Sequence, residues 1–364
     1  MKHFIYITLC VILVGIMIYP VNAQNAKPVF LNDVRSTGMG GAGVASARGN
    51  FCFVYNPALL TEESFRLTIP GVQIELGDNF MEIVSYINDN NDNFEKLNDE
   101  TTPIDEQDEI MHNLRKDAAK LDNIWYRTKV TPDVGLIVGN LAIGFYSNIS
   151  LSTKLDVGVL APKVKLTAIN DMVVSAAYAF HLNEQLSLGV GAKFISRAES
   201  PVIKIQMEES SGLDQQIQDG LDEMQDAKGG FGLDIGALYK MNERLYLAGV
   251  AQDLIGKIDD KSIPMNVKFG AMYKLTNRLM LAADLEDFFN QDGDNLFNKM
   301  YLGAEFALPI ISLRGGFSQG YPAFGAGINL KVINIAYTLY TRELTGSPGL
   351  NGETYHMVGL NFGW

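Results

Sequence analysis

The sequence predicts an all-β protein that forms a single transmembrane antiparallel β-barrel of about fourteen strands. Three observations carry this prediction. Apolar residues alternate with small or polar residues at a period of two, which places the two sets on opposite faces of a sheet. The connections between strands alternate between short and long, and the last strand ends on an aromatic residue. Together these features favour a closed barrel in a membrane over soluble domains.

Composition excludes some classes of function. The 364 residues are 47% hydrophobic and only 20% charged, and the formal net charge is −13. Such an acidic chain lacks the basic face that nucleic acid requires, so no nucleic-acid partner is expected. Cys10 and Cys52 are the only cysteines, and they provide no disulfide framework.

Residues 1–23 have the pattern of a secretory signal peptide. Lys2 and His3 precede an apolar run over 4–19, and small residues surround a predicted cut after Ala23. The alternative is a membrane anchor, but the run of about 16 residues is shorter than the roughly 20 that span a bilayer. Cleavage would leave Cys52 as the single cysteine of the exported chain.

Alternation is clear within individual segments. In 265–275, apolar Phe269 and Tyr273 alternate with Lys268 and Lys274. A soluble sandwich also alternates in this way, so the pattern alone does not decide between the two architectures.

The lengths of the connections discriminate better. The even-numbered connections are about two to three residues long, whereas the odd-numbered ones are longer, except the eleventh at 320–321. Outer-membrane barrels have short periplasmic turns, longer extracellular loops and an even strand count. The predicted strands lie near 64–76, 132–138, 141–151, 170–181, 185–196, 229–241, 244–253, 264–275, 278–288, 297–308, 311–319, 322–330, 333–343 and 354–364.

The C-terminal segment is an independent indication. Phe362 and Trp364 share one face of the last predicted strand, and Trp364 is the final residue. Such an aromatic end resembles the signal that the outer-membrane insertion machinery recognises. We therefore expect this machinery and outer-membrane lipid as partners.

Two segments have helical rather than strand periodicity. Apolar residues recur at three-to-four-residue spacing in 104–125 and in 207–228, which predicts amphipathic helices within extracellular insertions at about 77–131 and 207–228. Residues 78–123 carry 13 acidic and 4 basic side chains, and 207–228 carry 7 acidic and 1 basic. The acidity of the chain therefore belongs to these two loops. Their apolar stripes either line a ligand entrance or pack on the barrel rim.

The glycine-rich stretch at 38–43 matches G-x-G-x-x-G, with Glu62 about twenty residues further on, a spacing that dinucleotide-binding folds use. No buried strand precedes these glycines and no parallel βαβ unit follows, so we reject that function. The glycines instead favour tight, irregular turns.

A wider resemblance covers this region. Asp33-Val-Arg-Ser-Thr-Gly-Met-Gly-Gly-Ala-Gly-Val-Ala-Ser46 and Phe53-Val-Tyr-Asn-Pro-Ala-Leu-Leu60 resemble the N-terminus of FadL-type outer-membrane proteins, nearest to their TraF-like branch for conjugal transfer. PorV-type barrels of protein secretion are related to this group. The resemblance implies that residues 24–60 form a hatch inside a barrel of residues 61–364. The implied hatch or gate residues are Gly38, Gly40, Gly41, Gly43, Asn56, Pro57 and Ala58.

Catalytic and metal-binding patterns do not stand out. The four histidines are scattered, and no G-x-S-x-G occurs, so we expect neither an enzyme, nor a cofactor, nor a metal site. If the apolar face meets lipid, the charged residues that point into the lumen are Lys268, Lys274, Asp284, Glu286, Glu305 and Arg314. They either join the hatch to the wall, or Arg314 or Lys268 receives a ligand carboxylate.

Two functions remain open. The first is an outer-membrane channel that passes hydrophobic or amphipathic, fatty-acid-like molecules and is gated by the hatch. The second is a protein-interaction barrel of an envelope secretion or conjugation machine. A structural or adhesive barrel is a third, weaker possibility, which the long loop at 77–131 would suit.

Overall fold

Fourteen antiparallel strands close into a barrel, as the sequence predicts. The computed structural model describes residues 25–29, 31–97, 99, 101–122, 124–156, 163–200, 202–206, 226–291 and 293–363. The wall strands are β1 (Phe65–Gly77), β2 (Trp125–Val138), β3 (Leu141–Asp156), β4 (Lys163–His181), β5 (Leu186–Glu199), β7 (Lys228–Lys240), β8 (Leu245–Ile258), β10 (Asn266–Lys274), β11 (Leu279–Leu285), β12 (Met300–Ala307), β13 (Ile311–Ser318), β14 (Tyr321–Asn329), β15 (Ile333–Glu343) and β16 (Gly352–Gly363). Two short strands, β6 (Ile203–Gln206) and β9 (Lys261–Ser262), pair with the ends of β4 and β8 at one rim.

Strands that follow one another around the wall are hydrogen-bonded neighbours. The last strand, β16, pairs with β1 in antiparallel register, with Val72 opposite Leu360. Strand β8 pairs directly with β10, although the short β9 separates them in the sequence. Closure leaves no wall strand with an unpaired edge, which a membrane-spanning sheet requires.

The two rims differ in their connections. One rim carries turns of two to four residues, such as 139–140 and 182–185, and we call it the short-turn rim. The opposite rim, which we call the long-loop rim, carries all the longer connections together with the turn at 319–320. The predicted alternation of loop lengths is confirmed.

Alternation divides each strand between the outer surface and the lumen. In β3, Leu141, Ile143 and Phe145 are exposed on the outside, while Ala142 and Tyr146 are buried. Comparable apolar side chains continue around the barrel, and this outer surface matches the apolar band by which membrane barrels face lipid.

The described residues 25–29 and 31–62, which we call the plug, lie inside this wall. The plug contains helix α1 (Val34–Gly38), helix α2 (Cys52–Tyr55) and two 3-10 helices, Gly49–Phe51 and Pro57–Glu62. Its side chains form the centre of the largest buried apolar cluster, together with inward-facing side chains of the wall.

The first long loop is more helical than predicted. It contains α3 (Phe80–Asp89), α4 (Asn91–Leu97) and α5 (Ile104–Ala118), whereas the periodicity predicted one helix over 104–125. Ile83, Tyr86, Ile110, Leu114 and Leu121 pack together, so the predicted apolar stripe covers a small core at the rim. Among the described residues, no helix is long and apolar enough to cross a bilayer.

Some predicted boundaries are wrong. Trp125 begins β2, which starts seven residues before the predicted strand and ends the predicted helix early. Predicted strand 278–288 stops at Leu285, because the backbone of Asp287 turns with φ of 44°. The predicted helix at 207–228 lies outside the described residues up to 225, and Lys228 already belongs to β7.

Candidate functional site

The plug begins with a capped helix. The side chain of Asp33 accepts hydrogen bonds from the backbone N–H groups of Arg35 (2.9 Å) and Ser36 (3.1 Å), an N-cap that ends the extended backbone and starts α1. The wall then holds α1 from two sides. Gln73 of β1 accepts the N–H of Val34 at 2.8 Å, and the Thr338 hydroxyl of β15 donates to the Val34 carbonyl at 2.7 Å.

The glycine-rich turn follows α1 and packs directly on the wall backbone. Gly40 and Gly41 adopt φ of 68° and 98°, which glycine takes at no steric cost. A Cβ at Gly316 of β13 would overlap the backbone nitrogen of Gly40. Gly38 and Gly43 are similarly confined by Thr338 and by the ring of Tyr55. The geometry of the motif is that of close packing between plug and wall.

The Asn56-Pro57-Ala58 segment anchors the other end of the plug. The Asn56 carboxamide accepts the N–H of Ala58 (3.0 Å) and donates to the carbonyls of Val44 and Ala237 (3.2 Å each), so it caps a 3-10 helix and joins it to β7. Pro57 occupies the first position of that helix, where its missing N–H is harmless. The 3-10 helix Pro57–Glu62 packs against β4, β5 and β7.

The plug meets the wall on all sides. Its α1 contacts β13, β14, β15 and β16, and its 3-10 helices contact β1, β2, β4, β5 and β7. The remaining contacts are made by Phe53 against β3, by the backbone at 39–45 against β10, β11 and β12, and by the carbonyls of Val54 and Tyr55, which accept hydrogen bonds from Gln252 of β8. The plug therefore spans the lumen from wall to wall.

Three of the six charged residues predicted to face the lumen bind or support the plug. Arg35 of α1 forms a bidentate pair with Glu305 of β12, at 2.9 and 2.8 Å, and Arg314 of β13 donates to the same carboxylate at 2.7 Å. One oxygen of Asp284 accepts the backbone N–H groups of Gly43 (2.6 Å) and Val44 (2.8 Å). These contacts join the plug to β11, β12 and β13.

The other three lie elsewhere. Lys268 and Glu286 form an ion pair of 3.0 Å near the long-loop rim. Lys274 lies at the opposite end of β10 and donates to the Tyr246 hydroxyl at 2.9 Å. The six residues therefore divide among two regions of the lumen and the short-turn end, and do not form one site.

A cavity of about 480 Å³ lies between the plug and the long-loop rim. The plug forms part of its lining through Val29, Leu31 and Tyr55, and the wall supplies the rest. Tyrosines and basic side chains dominate the charged and aromatic part of this lining, which includes Tyr55, Tyr146, Tyr301, Tyr340, Lys129, Lys193, Lys268 and Arg342.

The lining is positively biased. Glu286 is the one acidic residue among the described residues that line the cavity, against four basic ones. Lys193 pairs with Asp234 (3.2 Å) and with Asp253 (2.8 Å), and Arg342 pairs with Glu75 (3.2 Å). These carboxylates lie outside the lining and balance the charge of Lys193 and Arg342 from behind, so the groups that border the cavity itself are mainly basic. Such a surface can hold an anionic head group beside apolar contacts on the plug.

Sequence reasoning missed Lys193 and Arg342. Lys193 shares a strand face with Gly191 and Arg197, opposite the exposed Val190 and Phe194, so the alternation test would have assigned it to the lumen. The alternation test could not assign Arg342 to a face, because β15 has polar residues on both faces where it ends at the long-loop rim.

The remaining predicted residues are placed as follows. Cys52 is fully buried in the plug, and burial raises the pKa of its thiol. Phe362 is on the outer face of β16, and Trp364 lies outside the described residues. In the part of the chain that the structure describes, no three His, Cys, Asp or Glu side chains are arranged to hold a metal ion.

Barrel, plug and cavity together define a class: a fourteen-stranded barrel of the FadL type with an N-terminal plug. Solved structures with this fold include the toluene transporter TodX of Pseudomonas putida, at 11% identity, 90% coverage of this chain, 96% of that chain and a TM-score of 0.52. A TodX deltaS2S3 mutant, described as a monoaromatic hydrocarbon channel, has 9% identity, 91% and 98% coverage and a TM-score of 0.53. A FadL homologue of Pseudomonas aeruginosa has 13% identity, 92% and 98% coverage and a TM-score of 0.51.

The family is defined by sequence. The family described as "F plasmid transfer operon, TraF, protein" matches residues 53–290, and the chain belongs to this family. No curated protein matches the chain significantly. The predicted FadL-type barrel fold and the TraF-like affinity are confirmed.

Proposed function

We propose that this protein is an outer-membrane channel for hydrophobic or amphipathic small molecules with an anionic head group, such as fatty acids. The observation that carries the proposal is the cavity between plug and long-loop rim, which combines apolar plug residues with a cationic lining. Two solved structures that share the fold bear the names of a toluene transporter and a monoaromatic hydrocarbon channel, which supports the hydrophobic part of this substrate class.

The compartment is part of the proposal. The chain is exported by residues 1–23, cut after Ala23, and inserted into the outer membrane with Phe362 and Trp364 as the recognition signal. The apolar outer surface of the barrel supports residence in a membrane. In this orientation the long-loop rim and its acidic helices are extracellular.

Passage requires the plug to move as a hatch. The plug touches the wall all around the lumen, so a molecule in the cavity reaches the short-turn side only when some of these contacts break. In this proposal Gly38, Gly40, Gly41 and Gly43 form the region that releases from the wall, while Asn56-Pro57-Ala58 stays as the anchor.

Ligand binding tests the proposal. Protein purified in detergent is examined by mass spectrometry for bound lipid, and binding of labelled oleate and of oleyl alcohol is then measured. Arg342→Met should weaken oleate binding by about tenfold, because one charge-assisted contact is lost, and leave the alcohol nearly unchanged. Lys274→Met is the matched control, since it removes an equal charge away from the cavity. A chain that carries no lipid and binds no oleate contradicts the channel function.

The second candidate is a protein-interaction barrel of an envelope machine. Membership of a family described by a plasmid transfer operon favours it, and so does the exposed acidic face of the helical loop over 80–118. Capture of a stoichiometric envelope protein by the native membrane complex, abolished when this loop is replaced by a short linker, would support it. An unchanged complex after that deletion would argue against it.

A further inference from the structure

The wall is much lower on one side than on the other. Strands β3 and β4 contain 16 and 19 residues, whereas β11, β12 and β13 contain 7, 8 and 8. A strand needs about 9–11 residues to cross a bilayer at the usual tilt. Seven residues rise only about 18 Å along the barrel axis, against an apolar band of about 25 Å. The wall at β11 is therefore about two to four residues too short for lipid.

The loop over 286–299, which we call the rim loop, lies directly above this low wall. It connects β11 to β12 and exposes four large apolar side chains, Phe288, Phe289, Leu296 and Phe297. Phe288 packs edge-on against Phe269, an outward-facing residue of β10, with ring centroids 5.1 Å apart. The apolar patch of the loop is thus continuous with the outer surface of the barrel.

A groove lies beneath the loop on the outside of the wall. It has a volume of about 580 Å³ and is lined by Leu296 of the loop and by Phe269, Leu285, Met300 and Leu302 of the strands below. Ala271 and Ala283, which face each other across β10 and β11, leave the space that forms its floor. One polar residue, Asp284, also borders the groove, but its carboxylate is buried and binds the backbone of the plug on the inner side of the wall. The rest of the lining is apolar and offers water no partner.

The polar groups at the two ends of the rim loop are buried, whereas Asn290 and Asn295 near its tip are exposed. Lys299 and Asp287 are buried and paired, Asp287 also accepts the N–H of Gln291 at 2.9 Å, and Asn298 donates to the Thr345 carbonyl at 3.3 Å. Because the polar groups next to the apolar patch are paired, the loop can lie at the head-group boundary at little cost, with its exposed asparagines towards the head groups. Exposed aromatic side chains in water are unfavourable.

We propose that the rim loop lies at the boundary between head groups and acyl chains, with Phe288, Phe289, Leu296 and Phe297 in the hydrocarbon and lipid tails in the groove. The loop thereby completes the apolar band where β11 and β12 end too low. The occupant is bilayer lipid, because the patch continues the lipid-facing surface without interruption. The same two low strands carry Asp284 and Glu305, which hold the plug.

Fluorescence quenching by lipid tests this placement. A background variant with Trp125→Phe and Trp364→Phe removes both native tryptophans. Single tryptophans are then introduced, and the protein is reconstituted in phosphatidylcholine vesicles whose acyl chains are brominated close to the head group. Quenching reports the contact of each tryptophan with the upper hydrocarbon, independently of any transport.

Four positions make the comparison. Leu296→Trp and Phe297→Trp probe the rim loop, and Phe306→Trp probes the lipid-facing side of β12. Ile104→Trp is the matched control, because Ile104 is an apolar residue in another long loop and is 76% exposed, comparable to Phe297 at 64%. We expect quenching at 296 and 297 to approach that at 306 and to exceed that at 104 by about threefold.

Quenching at 296 and 297 that is no stronger than at 104 would overturn the proposal. Absence of quenching at 306 would also overturn it, because it would show that the outer face of β12 does not contact lipid. A second copy of the chain is the competing occupant. To test for it, the Phe297→Cys variant is oxidised in the vesicles. Formation of a disulfide-linked dimer would show that the patch contacts another copy of the chain, and would likewise overturn the proposal.

Discussion

The ion-pair network between plug and wall provides the sharpest test of how the lumen is closed. Glu305 of β12 binds Arg35 of the plug and Arg314 of β13, and the three side chains are 12%, 16% and 4% exposed. Glu305→Gln removes the only carboxylate of this network. Two guanidinium groups then remain next to each other in a buried site without their shared counter-charge.

The expected effect follows from this burial. Leaving a buried charge without its partner costs about 3–5 kcal/mol. Detachment of the plug relieves this cost, so at the lower end of the range it becomes more favourable by about 3 kcal/mol. Since about 1.4 kcal/mol corresponds to a factor of ten, the detached fraction rises by about 100-fold. Arg35→Met leaves Glu305 paired with Arg314 and loses only charge-assisted hydrogen bonds, so its effect is closer to tenfold.

The buried cysteine of the plug supplies the assay. Cys52 is inaccessible, and its raised pKa disfavours the reactive thiolate, so a maleimide labels it only when the plug detaches locally. The labelling rate is measured by mass spectrometry of the purified protein in detergent. Lys274→Met is the control, because Lys274 binds Tyr246 on the wall and its loss should leave the rate within about twofold.

Two results would refute the reasoning. Labelling of Cys52 in Glu305→Gln at the rate of the unaltered protein would mean that the network does not hold the plug. An equal acceleration in Lys274→Met would mean that any lost charge loosens the whole barrel.

Two further predictions concern contacts between plug and wall. Gly316→Ala should accelerate labelling of Cys52 by at least about tenfold, because the new Cβ would overlap the backbone of the glycine-rich turn. The neighbouring Gly315→Ala is the control, since a Cβ there meets open space and should leave the rate unchanged. Equal rates in the two variants would contradict the close packing. A Val34→Cys/Gly359→Cys pair places its Cβ atoms about 3.4 Å apart, near the span of a disulfide. Oxidation should stop oleate uptake into proteoliposomes and reduction should restore it, while uptake that survives oxidation would show that α1 need not leave the wall.

The wall was predictable because its signal is local. The period of two and the lengths of the connections require only residues close in sequence, and they indicated fourteen strands with two different rims. The prediction failed at 125–131, where β2 extends above the apolar band and carries polar residues on both faces. It also failed at 286–288 and at 297–299, where a positive φ at Asp287 and a 3-10 helix replace the predicted strand ends.

The plug was predictable only in part. Its glycines and the Asn-Pro-Ala segment marked it through a family resemblance, whereas its contacts depend on distant parts of the chain. Arg35 and Glu305 are 270 positions apart, and no spacing rule relates them. Alternation placed Glu305 and Arg314 on the inner face, yet could not say whether they would meet a ligand or the plug.

The sequence by itself determined the class of fold and which face of each strand meets lipid, because hydrophobic periodicity is set residue by residue. Only the tertiary structure decided which inward charges bind the plug, which line the cavity, and where the wall is lowest. Those properties arise when strands distant in sequence are brought side by side, since the pairing of charges and the height of the wall depend on neighbours that the linear order does not identify.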